Sequence, residues 1–526
     1  MNALFLTQSS SLDMFFYLMQ AVKEIIPLNK VGFYVADSRF FKQFTQKCPE
    51  IEMGKFFLLK EWEIIRESIG IKPDIYILER YEREIGQPYL WNALVADRRI
   101  YLGKKYAYAQ DYHPRFSHEQ MMAILQVGLE RMEKFFNEVQ PNFIVFSQCN
   151  TLGEYLSFLF AQARNIQILN LRPTRIKNYI YAGESVLEPS DRLKKTYNQF
   201  LNNGIEPSLR DEAFEYLQEA RSIHAKYEGI VPPSSKPPGI RTIRKTMISL
   251  LNVKGLVRFI IGEYKCRFGE YRYDNHISGF IGPLVNQRII RPWRARLMDR
   301  RFLKMYIKST DLPQLNYAFF PLHTEPEVTL CVYSKPYLNQ IEAIRLFSHN
   351  IPVGMKLLVK EHPWSIGKRP LSYYRKLLEI PNVLLAHPSL NSRELISHAR
   401  IITAIAGSMG FEAIILKKPV VVLGRTPFSI LPGNMIRHAS NPDRLGNDIR
   451  HLLENYEYDE GALLSYISAV MKDSVPVDYY SKLIRRKGVY SPGGNNDDQK
   501  AQEEERMKHI SRLAQYIGHR LDDIKQ

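Results

Sequence analysis

The sequence has no apolar run approaching the ~20 residues of a membrane-spanning helix; the longest, Ile401–Ala406 and Pro419–Leu423, are far shorter. It has only four cysteines, Cys48, Cys149, Cys266 and Cys331. Their spacing fits neither a disulfide framework nor a metal knuckle, so a reducing compartment is expected. There is no DxD pair, HExxH or Cys/His cluster, so neither a metal nor any other cofactor is expected. The opening MNALFLTQSSSLDMFFYLMQAVKEII lacks a basic leader and a small-residue cleavage site; it reads as a strand, a polar turn and an amphipathic helix. These absences point to a cytoplasmic protein.

Acidic residues are also short: 55 Asp and Glu face 72 Lys and Arg, a net charge of +17. The excess is local. Residues 236–308 hold 17 Lys/Arg and 4 Asp/Glu, together with the apolar clusters Met247–Leu251 and Leu256–Ile261. Basic and apolar residues combined suit an anionic membrane surface. A solvated linker is the plainer alternative. No nucleic-acid-binding motif accompanies the charge, and no nucleic-acid partner is expected.

With 526 residues, 45% of them hydrophobic, the chain is long enough for two large domains. Residues 1–230 alternate apolar runs with helical patterns. The strands expected there are Ala3–Thr7, Val31–Ala36, Phe56–Leu59, Asp74–Leu78, Phe143–Ser147 and Ile166–Asn170, with a long helix over Glu119–Val139. The Pro/Ser-rich VPPSSKPPG (231–239) marks a boundary that opens a linker and basic segment over 231–310. A second alternating block follows over 311–490, with strands at Tyr317–Phe320, Lys356–Val359, Asn382–Leu385, Ile401–Ala406 and Val420–Leu423. Residues 491–526 read as a joint, SPGGNNDD, and a helix whose stripe Met507, Ile510, Leu513, Ile517, Leu521 suits docking or a coiled-coil seam. Strands separated by helices imply parallel sheets. Two Rossmann-like domains with a cleft between them describe the α/β GT-B architecture, whose ligands bind beyond the carboxyl ends of the strands.

Three of those strand ends in the second block carry polar clusters. YAFFPLHTEPEVTL (317–330) delivers His323, Glu325 and Glu327, either solvated loop carboxylates or an acid at the cleft. LLVKEHPW (357–364) delivers Lys360 and His362, with Pro363 biasing His362 toward an extended backbone. A point charge beside an imidazole donor suits a phosphate. The dipeptide alone decides nothing, because His113-Pro114 and His387-Pro388 also occur. The third is the turn of AIAGSMGFEAIILKKP, where Gly407 and Gly410 keep side chains away, Ser408 caps a helix, and Glu412 lies one turn in. Helix-start N–H groups bind anions.

In order and spacing, FFPLHTEPE, LLVKEHPWSIGKR and ARIITAIAGSMGFEAIILKKPVVVLG resemble the capsule polysaccharide biosynthesis proteins, a family that includes retaining β-Kdo transferases. The resemblance covers roughly residues 317–430. It implies a GT-B glycosyltransferase that uses a nucleotide-activated sugar (CMP-linked and Kdo-like) without a metal and with retention. It places transfer to a glycan or glycolipid acceptor at the inner membrane face, alongside assembly or export proteins. It also implies that His362-Pro363, with Lys360 in support, holds the nucleotide phosphate, that Gly407, Ser408 and Gly410 form the anion turn, and that Glu412 reaches the ribose. The loop Pro321–Glu327 matches the family's nucleophile loop, with His323 in place of glutamine and Glu327 in place of aspartate. Glu327 is the first choice for nucleophile and Glu325 the alternate. Asp97 and Glu154 are candidate acceptor-side bases. A teichoic-acid-type CDP-polyol phosphotransferase and a non-catalytic assembly factor are the competing readings.

Overall fold

The computed structural model describes residues 1–87, 89–101, 115–186, 189–222, 224–230, 253–277, 279, 285–302, 304–325, 327–492 and 498–522. The Pro/Ser stretch 231–239, the cluster 247–251, His113-Pro114, Pro326 and most of the 491–498 joint lie outside them. Two seven-stranded sheets organise the chain. The amino-terminal sheet is built from β1 (Ala3–Thr7), β2 (Val31–Val35), β3 (Phe57–Lys60), β4 (Phe143–Phe146), β5 (Gln167–Pro173) and β6 (Tyr179–Gly183). The second contains β7 (Tyr306–Ile307), β8 (Tyr317–Pro321), β9 (Lys356–Lys360), β10 (Val383–Ala386), β11 (Ile401–Ala404), β12 (Val420–Val422) and β13 (Ile436–His438). A last strand, β14 (Ser474–Pro476), returns to the first sheet and pairs antiparallel with β6.

The first sheet runs β14-β6-β5-β4-β1-β2-β3, with β3 through β5 parallel. The second runs β13-β12-β11-β8-β9-β10-β7 and is parallel throughout. Helices cover both faces of such sheets, so their strands are apolar on both sides. Every residue of β1, β2, β4 and β11 is buried. The GT-B-like expectation holds: two α/β sheets with their strand ends facing one cleft.

Three local readings change. Asp74–Leu78 is not a strand. Asp74 accepts the Tyr76 amide (2.9 Å) and caps a helix over Ile75–Ile85, because the alternation there continues at helical spacing. The helices Asp191–Asn203 and Pro207–Ala220, expected with the amino-terminal domain, pack against Glu460–Lys472 in the core of the second sheet. The carboxy-terminal helix Gln499–Asp522 lies along Ser11–Ile25 and closes the core of the first sheet, burying Ile510, Leu513, Ile517 and Leu521. Four of the five residues of its apolar stripe are satisfied within the chain, and Met507 remains exposed.

Candidate functional site

A cleft of about 970 Å³ separates the two sheets. Its walls include His323, Glu325, Glu327, Lys360, His362, Pro363, Gly407, Ser408 and Glu412 from the second sheet, with Arg172, Arg175 and Gln148 from the first. Of the residues singled out in the second block of the sequence, Gly410 alone does not line it. A Cβ at Gly410 would meet the Phe428 ring at 2.9 Å, so this glycine serves helix packing.

The loop after β8 is held rigidly. Gln340 accepts from the His323 amide (2.7 Å) and donates to the His323 carbonyl (3.1 Å) and to Glu325. Arg369, fully buried, donates to the same carbonyl (2.5 Å) and pairs with Glu325 (3.4 Å) and Glu361. Tyr374 donates to the other Glu361 oxygen (2.5 Å). Glu325 is thus part of a buried ion-pair network, and desolvation, partly offset by Arg369, raises its pKa. Its Oε1 is engaged by Gln340 and Arg369, so Glu325 ties this loop to the buried guanidinium.

Glu327 is different. Its side chain is 39% exposed, in the cleft, with Oε2 3.7 Å from His323 Nδ1. The Ala406 amide donates to His323 Nε2 (3.4 Å), which leaves the ring proton on Nδ1, toward Glu327. Desolvation pushes the Glu327 carboxyl up, but the His323 hydrogen bond, with His323, His362 and Arg175 nearby, outweighs it and holds the pKa below the usual value. Immediately beyond, Leu330, Cys331 and Val332 are buried, the latter two in the core of the first sheet, so Glu327 sits where the two halves meet.

His362 and Lys360 leave the end of β9. The Trp364 amide donates to His362 Nδ1 (3.1 Å), and Pro363 has no amide of its own to cap. With Nδ1 occupied, the neutral ring carries its proton on Nε2. Desolvation lowers the His362 pKa to about 4 and the Lys360 pKa to about 8. Lys360 Nζ donates to Ser392 Oγ (2.8 Å). The helix Ser408–Ile415 starts at Gly407 (φ +103°), which is its N-cap; Ser408 occupies the first helical position and makes no cap. Its hydroxyl lies 3.4 Å from that of Tyr227. Glu412 is held by Arg393 (3.2 Å) and Tyr227 (3.4 Å), and burial raises its pKa.

Sequence reasoning missed Glu361, Arg369 and Arg393, the ionic partners that fix the three loops. Their signal was weak: charged residues near strand ends, without motif spacing. The 364–369 stretch is held by the basic segment. Arg291 donates to the Ile366 carbonyl (2.9 Å) and the Trp364 carbonyl (3.0 Å), and Arg294 to the Lys368 carbonyl (3.0 Å). Part of the basic segment therefore has internal work, and the Arg486 guanidinium stacks 4.0 Å over the Trp364 ring.

Asp97 and Glu154 do not line the cleft. Asp97 accepts the Leu152 amide (3.1 Å), and Glu154 completes a capping box with Thr151. Both are buried helix-end acids, and desolvation raises their pKa values, that of Glu154 to about 8. Among the described residues one trio could hold a metal ion: Asp478, Glu505 and His509. None of the three lines the cleft, and Lys482 already bonds Glu505 (2.9 Å).

Residues 290–433 match the capsule polysaccharide biosynthesis protein family. The matched segment spans β7 to β12 and carries the nucleophile and nucleotide-side candidates, though not Asp97 or Glu154, so the resemblance drawn from the motifs holds over it. No curated protein matches the chain. Among solved structures, similar ones include the Thermosulfurimonas dismutans KpsC beta Kdo 2,4 transferase, at 13% identity and a TM-score of 0.31 over 62% of this chain and 78% of that one. The beta Kdo 2,7 transferase of the same KpsC shows 10% identity and a TM-score of 0.32 over 65% and 80%. UDP-GlcNAc 2-epimerase from Methanocaldococcus jannaschii shows 12% identity and a TM-score of 0.24 over 90% and 99%. Likeness at this level says nothing of activity.

Proposed function

We propose that this protein is a glycosyltransferase of capsule or surface polysaccharide assembly, taking a nucleotide-activated sugar (CMP-linked and Kdo-like) and acting with retention on a glycan or lipid-linked acceptor at the inner membrane face. The observation that carries the reading is the placement of Glu327: an ionised carboxylate in the cleft, oriented by His323, on the same wall as a phosphate-suited pair and an open helix start. The His362 Nε2–H, the Lys360 ammonium and the first N–H groups of the 408–415 helix take the nucleotide phosphate. Glu412 faces the ribose.

In the first step Glu327 attacks the anomeric carbon as the bond to the nucleotide phosphate breaks; CMP departs with the bonding electrons, its charge met by those cations and dipoles. An acceptor hydroxyl then displaces the Glu327 ester and loses its proton to a base, so two inversions give net retention. No metal is needed for charge balance in this scheme.

The test is Glu327→Gln, assayed for CMP release and by calorimetry with CMP. Turnover is expected to fall by at least about 10³-fold while CMP affinity changes little. Full turnover in the variant would remove the double displacement. Release of a sugar or polyol still carrying its phosphate would favour phosphotransfer, and a wild type that binds neither CMP nor UDP would favour a non-catalytic assembly factor.

A further inference from the structure

The helix Val253–Arg267 presents its apolar side outward. Val257, Ile260, Ile261, Tyr264 and Phe268 are 48%, 58%, 50%, 62% and 70% exposed. Spaced by three, one, three and four, they share one face, continued by Phe268 just past the helix end. The opposite face, with Gly262 and Cys266, is the buried one. The Tyr264 and Phe268 rings lie side by side, centroids 5.8 Å apart. A folded chain does not usually leave five large apolar residues together in water without a use for them.

The charge around this stripe is mostly basic, and its two acids, Glu263 and Glu270, pair with Arg267 (2.9 Å) and Lys265 (3.0 Å). Lys254, Arg258, Lys265 and Arg267 occur along the helix against a single acid, Glu263. By helical register Lys265 falls along one flank of the stripe and Arg267 along the other. The surrounding 236–308 segment repeats the bias, 17 basic residues to 4 acidic. An apolar face bordered by cations matches a bilayer with anionic head groups, where acyl chains cover the stripe and phosphates meet the flanks. Among the described residues no helix is long and apolar enough to cross a membrane, so the contact is one of lying in the surface.

The segment is also anchored to the body of the protein. Asp274 accepts the Ser38 amide (2.7 Å) and hydroxyl (2.5 Å), and His276 Nε2 meets Glu61 (3.1 Å), both acids being buried beside the first sheet. These bonds tie the stretch that follows the helix to the first sheet.

We infer that the face formed by Val257, Ile260, Ile261, Tyr264 and Phe268 inserts into the interfacial layer of an anionic lipid bilayer and docks the protein there. The inference does not depend on the transferase reading: vesicle binding and CMP turnover are separate measurements, and either can fail alone.

The test is flotation of the full chain with vesicles of phosphatidylcholine, alone or containing about one-third phosphatidylglycerol. Wild type is expected to float with the anionic vesicles and not with pure phosphatidylcholine. The Ile260→Glu/Phe268→Glu variant, both changes at exposed positions, is expected to keep its far-UV circular dichroism and Tm and to lose at least about tenfold in partitioning. A Tyr264→Trp variant should show a blue-shifted emission on adding anionic vesicles. Equal partitioning of wild type and double variant would overturn the inference. So would absent flotation of wild type, or a Tyr264→Trp emission unmoved by vesicles that bind the protein. A concentration-dependent dimer, lost in the double variant and without lipid binding, would assign the face to a second copy instead.

Discussion

Lys360 and His362 show how one strand end tunes two donors differently. His362 is held neutral, with its pKa lowered to about 4, and its tautomer is set by the Trp364 amide. Its donor is therefore constant through the neutral range. Lys360, lowered to about 8, is charged below that value and a neutral amine above it. A phosphate prefers the charged form, so CMP affinity is expected to fall as pH rises beyond about 8, by up to about tenfold per unit. Calorimetry with CMP from pH 7 to 9.5 would check this. Lys360→Met should bind about tenfold more weakly at pH 7 and flatten the profile. Lys368, also lowered to about 8 and also lining the cleft, is the control; if Lys368→Met flattens the profile instead, the phosphate lies on the Trp364 side. At this scale the sequence was legible where residue type and strand end coincide, as at His362. It was not legible for Glu325 against Glu327, two equal carboxylates two residues apart. Only the buried guanidinium of Arg369, over forty residues away in the chain, separates the paired Glu325 from the cleft-facing Glu327.

Among elements, β1, β8 and β9 match their apolar runs within a residue, whereas β5 runs three residues past the expected Asn170 and the five-residue β6 was not expected at all. The short ones, β7, β13 and β14, carry two or three residues each and too little pattern to read. The Asp74 stretch failed because four apolar residues in five fit either period until the helix beyond is counted. The turn at Gly407 was recognised, but for an incomplete reason. Its φ of +103° is closed to L side chains, and a Cβ would stand 3.0 Å from His323 Cε1. Gly407 therefore gives the His323 ring its room, and through it sets the orientation of Glu327. Gly407→Ala is expected to cost about 1–3 kcal/mol in strain, a Tm lower by roughly 3–8 °C. Turnover should fall by at least about tenfold as the ring is displaced. Scanning calorimetry and CMP-release assays would measure the two; a variant with lowered Tm and full turnover would show that the ring's position is immaterial to catalysis.

The whole molecule is closed by its two returns between the halves. Helices 191–220 leave the first half of the sequence for the core of the second sheet, while β14 and the 499–522 helix leave the second half for the first sheet. Neither exchange is visible in periodicity, because an amphipathic stripe shows that a helix packs without naming its partner. The carboxy-terminal helix covers Ser11–Ile25 with Ile510, Leu513, Ala514 and Ile517, all fully buried, and Arg506 pairs with Asp13. Its packing supports the first sheet, whereas the nucleotide-side residues stand on the second. A charge at Leu513 should therefore separate the two. Leu513→Asp loses a buried leucine and places a carboxylate with no partner in the core, a cost of about 4 kcal/mol. The first calorimetric transition is expected to shift down by roughly 10 °C. If CMP raises the transition of the second sheet, as the proposed function predicts, that shift is expected to persist below the first transition, since Lys360, His362, Ser408 and Glu412 stand on the second sheet. Loss of CMP binding together with the packing would show that the two sheets are a single cooperative unit and that the cleft depends on the return of the chain as much as on its own strand ends.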